Sequence, residues 1–89
     1  MVGTCDEVGY VYEEAKALMR AREVDYEDTW KREGLDCMAA SMYRKASGLQ
    51  VAFKNGNWKQ KVDKTKEDLN DLINYAALVR RLIDMEVGI

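Results

Sequence analysis

Asp63, Glu67 and Asp71 recur every four residues near the C-terminal end of an 89-residue chain. On a helix this spacing sets the three carboxylates along one side. Two carboxylates one turn apart can share a divalent cation, and Mg²⁺ suits such a pair because it takes few protein ligands and keeps its waters. An ion held there would bridge a polyphosphate and activate water. The plainer reading is that acids near a helix N-terminus complement the helix dipole and face solvent. Around the same segment Lys54, Lys59, Lys61, Lys64 and Lys66 crowd about Trp58. Ammonium groups beside an aromatic ring hold phosphates while the ring stacks on a base; the alternative is a solvated loop whose tryptophan packs on the core. Asp25, Tyr26 and Trp30 form a second polar and aromatic group, read either as ligand contacts or as residues capping a core. The Glu13–Glu14 pair reads as a solvated face, and adds acids to the row only if it points across at the third helix.

The chain has no histidine. Ser41 and Ser47 therefore lack the base of a hydrolase triad, and any metal would be held by oxygen, which points to Mg²⁺ or Mn²⁺. The formal charge is −2 with both signs interleaved, which argues against general nucleic-acid binding, where a basic face is the usual footprint. Arg20, Arg22, Arg80 and Arg81 read as salt-bridging surface residues, each pair contributing little. No stretch approaches the length of a membrane span. Cys5 and Cys37 form no CxxC pair or disulfide framework, and read as two reduced thiols of a cytoplasmic protein.

Positioning these residues falls to three helices in a single all-α domain. Proline is absent throughout, which suits long uninterrupted helices. Val8, Val11, Tyr12, Ala15, Leu18 and Met19 form the three-four stripe of a first helix running from about Asp6 towards Lys31, with a break or bend near Asp25–Trp30 and Gly34 as its stop. A second helix is predicted from Leu35 or Asp36 to Phe53, with interior Gly48 marking tight packing or a bend, and Asn55-Gly56-Asn57 a turn. Thr65-Lys66-Glu67-Asp68 resembles a capping box opening the third helix. That helix has two apolar flanks. Leu69, Leu72, Ile73, Ala76, Val79 and Ile83 line one, and Tyr75, Leu78, Leu82 and Met85 the other. A helix apolar on most sides is buried, and three helices are too few to cover both flanks. Self-association, as a dimer or tetramer, is the expectation.

The order Asp25-Tyr26-Glu27-Asp28-Thr29-Trp30, Gly34-Leu35, Met42 with Lys45 and Leu49, then Asp71-Leu72-Ile73-Asn74-Tyr75-Ala76 resembles one family across about Tyr10 to Met85. It is the phage and bacterial family called nucleotide modification associated domain 1, which looks related to the MazG-like all-α nucleoside triphosphate pyrophosphohydrolases. The resemblance implies an oligomeric helical bundle that binds a nucleotide, with Mg²⁺ on Glu67 and Asp71 and a catalytic lysine at Lys45. Asp25, Tyr26, Trp30, Asn74 and Tyr75 would contact the substrate. MazG-like enzymes cleave between the α and β phosphates and release pyrophosphate. Three positions depart from the pattern: Glu27 replaces a glycine, Arg44 an acid and Gly48 an arginine. The middle helix also lacks the glutamates that face the acidic pair in MazG-like enzymes. These departures keep a second reading open, a non-catalytic helical module for oligomerisation or interaction.

Overall fold

The computed structural model describes residues 3–23 and 29–88. They form helices and no strand: α1 (Thr4–Ala21), α2 (Thr29–Asn55), a short 3-10 turn (Asn57–Gln60) and α3 (Val62–Glu86). The all-α class read from the apolar spacing is the observed one. Asp25 and Tyr26 lie outside the described residues.

α1 opens after Gly3 with Asp6 and Glu7 in its first turn, where carboxylates meet the positive end of the helix dipole. It ends at Ala21 rather than continuing towards Lys31. Gly34 interrupts α2 at φ 79°, ψ −177°, separating a leading turn from the long segment that follows. Only glycine adopts that backbone conformation readily. The sequence reading placed a stop at this glycine and a new helix directly after it, and the break falls there. At Gly48 a Cβ would meet nothing within 4 Å, so the expected close packing is absent and α2 runs through it. The chain turns at Gly56, again in the left-handed region at φ 79°, with Asn55 Oδ1 accepting from the Asn57 backbone N–H at 2.9 Å. That is the turn expected from Asn55-Gly56-Asn57.

α3 is the hub. It packs on both α1 and α2, while those two make no close backbone approach to each other among the described residues. Met38 of α2 meets Leu78 and Leu82 of α3, and Met19, Trp30, Leu35, Tyr75 and Val79 pack around them. The flank of α3 that folds inward is thus the one bearing Tyr75, Leu78 and Leu82. The sequence reading had two flanks and the need to cover both, without saying which turns inward. The capping box at Thr65 is absent. α3 starts one turn earlier, at Val62, and Thr65 is a buried residue inside the helix.

The core is thin. Among the described residues the buried apolar ones are Ala15, Met38, Leu49, Leu78 and Leu82, and no large side chain is fully enclosed. The chain exposes 6784 Å² of surface, whereas a folded monomer of this mass exposes about 5,300 Å². The radius of gyration is 14.6 Å against about 12 Å for a compact domain of this length.

Candidate functional site

An ionic network joins all three helices. Asp71, on the inner side of α3, is only 5% exposed. A carboxylate so buried must be paired. From just beyond the end of α1, Arg22 Nη1 donates to Asp71 Oδ1 at 3.2 Å, and its Nη2 is ion-paired with Glu67. From α2, Lys45 Nζ reaches Asp71 Oδ2 at 3.2 Å and donates to Asp68 Oδ1 at 2.9 Å. Lys64, one turn before Asp68, pairs with it along α3. Among the described residues, three cations, Arg22, Lys45 and Lys64, thus face three carboxylates, Glu67, Asp68 and Asp71.

Next to this network Asn74 is buried and its Nδ2 donates to the Ala15 carbonyl in the middle of α1 at 2.9 Å. Ala15 is small enough to let α1 approach α3 there, and the carbonyl's second lone pair accepts the extra bond. Asn74 therefore ties two helices together. No buried side-chain nitrogen or oxygen among the described residues lacks a partner.

Two recesses open along the α2–α3 groove. The first, of about 250 Å³, is lined by Ser41, Arg44, Lys45 and Tyr75. Ser41 Oγ donates to the Cys37 carbonyl at 3.2 Å and accepts from Arg44 Nη2 at 3.2 Å, which steers the guanidinium. Arg44 makes no ion pair among the described residues. The second recess, of about 270 Å³, lies further along the groove and is bordered by Trp58, Lys61, Lys64, Asn55 and Asp68 among others. Trp58 meets Phe53 edge to face, with ring centroids 6.1 Å apart. Of the lysines crowding the turn, Lys61 and Lys64 border this recess; Lys54, Lys59 and Lys66 do not.

The structure brings Lys45, Glu67 and Asp71 together and sets Tyr75 beside them. Trp30 instead packs against the core cluster, with Lys31 Nζ 5.4 Å from its ring centre. Glu13 and Glu14 are exposed on α1. Arg22 and Asp68, both central here, carried no site role in the sequence reading. The Lys64–Asp68 pair follows the four-residue rule and was legible; the partners of Arg22 depend on how α1 lies on α3, which spacing does not encode.

Among the described residues Glu67 and Asp71 are paired with cations and offer no free carboxylate to a divalent ion. Mg²⁺ draws on carboxylates with charge left over, and here each is balanced by arginine or lysine. No group of three or more metal-ligating side chains occurs among the described residues.

Burial alone would pull the Lys45 ammonium below its usual 10.5, but its hydrogen bonds and charge interactions with Asp68 and Asp71 prevail and hold it higher. Asp68 is the mirror image. Burial pushes its carboxyl up from 3.8, and the hydrogen bonds from Lys64 and Lys45 outweigh that and leave it lower. A lowered carboxyl stabilises the fold above its unfolded value, and the gain is lost as pH falls through the folded value. A raised ammonium stabilises below its unfolded value, and that gain is lost as pH climbs through the folded one. Stability should therefore be level at neutral pH and fall at both extremes, below the usual 3.8 of Asp68 and above the usual 10.5 of Lys45. Urea midpoints across a pH series check this. The Lys45→Met variant should lose part of the alkaline fall, and an unchanged alkaline limb would count against the pairing.

No protein family, no characterised protein and no solved structure matches the chain. Fold and site together define a small all-α protein whose central helix carries an ionic network beside a groove bordered by Arg44, Lys45, Lys61 and Lys64. No helix among the described residues is long and apolar enough to cross a membrane.

Proposed function

We propose that this chain is a MazG-like helical protein that binds a nucleotide through its phosphates in the α2–α3 groove. The observation that carries the reading is Arg44, a guanidinium with no carboxylate partner among the described residues, aimed by Ser41 into a recess shared with Lys45 and Tyr75. Phosphate oxygens suit the planar donor fork of arginine. Arg44 stands where the family pattern has an acid, so the substitution turns a cation-holding position into an anion-holding one. The centre of the second recess lies about eight residues along α2, or roughly 12 Å at the helical rise, and Trp58 there offers a ring for a base.

The reading is of a binding protein. Pyrophosphate release by the MazG-like route draws on Mg²⁺ at Glu67 and Asp71, and those carboxylates are balanced by Arg22 and Lys45. The exposed, unpaired Cys5 and Cys37 sit best with a reducing compartment such as the cytoplasm.

Isothermal titration with a panel of nucleoside triphosphates tests the proposal. At least one should bind, and Arg44→Gln should weaken it by about tenfold, the value of one charge-assisted contact. The absence of binding by every nucleotide, or an Arg44→Gln variant that binds as well as the parent, would overturn it.

A further inference from the structure

We propose that the end of the bundle where α2 turns into α3 binds a single-stranded nucleic acid, its phosphates on exposed lysines and one base in the Trp58 recess. Residues 54–66 carry five lysines and one aspartate, a local charge of +4, which leaves −6 on the rest of a chain that totals −2. The overall balance thus hides a segregated basic end. The fold gathers it: α2 ends at Asn55, Gly56 turns the chain, and the 3-10 turn runs directly into α3. Lys54, Lys59, Lys61 and Lys66 are exposed and make no ion pair among the described residues, while Lys64 pairs with Asp68. Four like charges held this close repel one another. A polyanion relieves that repulsion and gives up its own counterions as it binds.

The recess decides which polyanion. At about 270 Å³ it has room for a planar base and none for a duplex. Trp58 is half-buried in its wall and meets Phe53 edge to face. A ring set into a wall stacks on a base that enters, whereas a ring that anchors a chain to a lipid surface belongs to a projecting apolar face. Only an unpaired base is free to be splayed into such a recess. Asn57 in the lining both donates and accepts, so it suits the edge of any base. Asp68, the acid of the lining, is already paired with Lys45 and Lys64. Lys54, Lys59 and Lys66 border neither this recess nor the one at Arg44, so strand binding does not rest on the nucleotide reading.

Fluorescence anisotropy with short labelled oligo-dT and oligo-U tests the proposal. At least one should bind, and its affinity should fall about fiftyfold between about 50 and 200 mM salt, a logarithmic slope of about −3 for four lysines on a single strand. Lys59→Gln with Lys66→Gln, both at the surface, should halve that slope. Trp58→Leu should weaken binding by about tenfold at an unchanged slope, with helicity retained. Strand binding without nucleotide binding would refute the Arg44 proposal alone, and nucleotide binding without strand binding would refute this one alone. Anionic phosphatidylserine vesicles or a duplex bound as tightly as the strand, an unchanged salt slope in the lysine variant, or a folded Trp58→Leu variant that binds like the parent also overturns the inference.

Discussion

Replacing Asp71 with alanine is expected to destabilise the chain by about 2 kcal/mol. Its side chain is 7% exposed and lies between Arg22 and Lys45, whose side chains are 36% and 27% exposed. Removing one member of a fully buried pair costs about 3–5 kcal/mol. The loss here is smaller because both cations are partly hydrated and each keeps another partner, Arg22 with Glu67 and Lys45 with Asp68. In a domain of this size about 2 kcal/mol lowers the melting temperature by roughly 10 °C. Glu67→Gln, by contrast, should change stability by less than about 1 kcal/mol, since that carboxylate is 44% exposed. Thermal melts of the two variants check the ranking. Equal losses would mean that Asp71 is not the keystone of the network.

Leu78→Asp should leave no folded protein at room temperature. Leu78 is 8% exposed and sits with Met38 and Leu82 in a buried cluster that joins α2 to α3. A charge placed there is unpaired in an apolar site, a change that costs more than about 4 kcal/mol. A chain of this length has only about 4–13 kcal/mol of stability in total, and the exposed surface and sparse core put this one low in that range. Far-ultraviolet circular dichroism should show the helical signal lost in Leu78→Asp and kept when Ile83, 45% exposed on the outer flank, is changed to glutamate. Helicity retained in Leu78→Asp would mean that the inner and outer flanks of α3 are assigned the wrong way round.

That assignment marks where reading the sequence stops. The two apolar flanks of α3 were visible in the spacing, and so was the need to cover both. Which one turns inward was not, because it depends on Asp71 and Asn74. These polar residues lie on the inner face and are buried there by Arg22, Lys45 and the Ala15 carbonyl. Hydrophobic periodicity treats such positions as solvent-facing, so it draws the wrong boundary. Thr65 misled for a related reason. Its local pattern is that of a cap, yet its side chain is buried in the α2–α3 groove and the helix extends a turn beyond it. The kink at Gly34 and the turn at Gly56 were legible because a left-handed backbone leaves its own mark on residue choice. The acidic row was legible as a row, while its partners were not: Arg22 and Lys45 lie 45 and 26 positions or more from the acids they meet in Glu67 and Asp71, and only the packing of three helices brings them there.

The most direct measurement is a calorimetric titration of the best-binding nucleoside triphosphate, done once with Mg²⁺ and once with a chelator in excess. Recognition by Arg44 and Lys45 alone predicts binding that survives the chelator and no release of pyrophosphate in either condition. Binding that vanishes with the metal, together with turnover that Asp71→Asn abolishes, would contradict it.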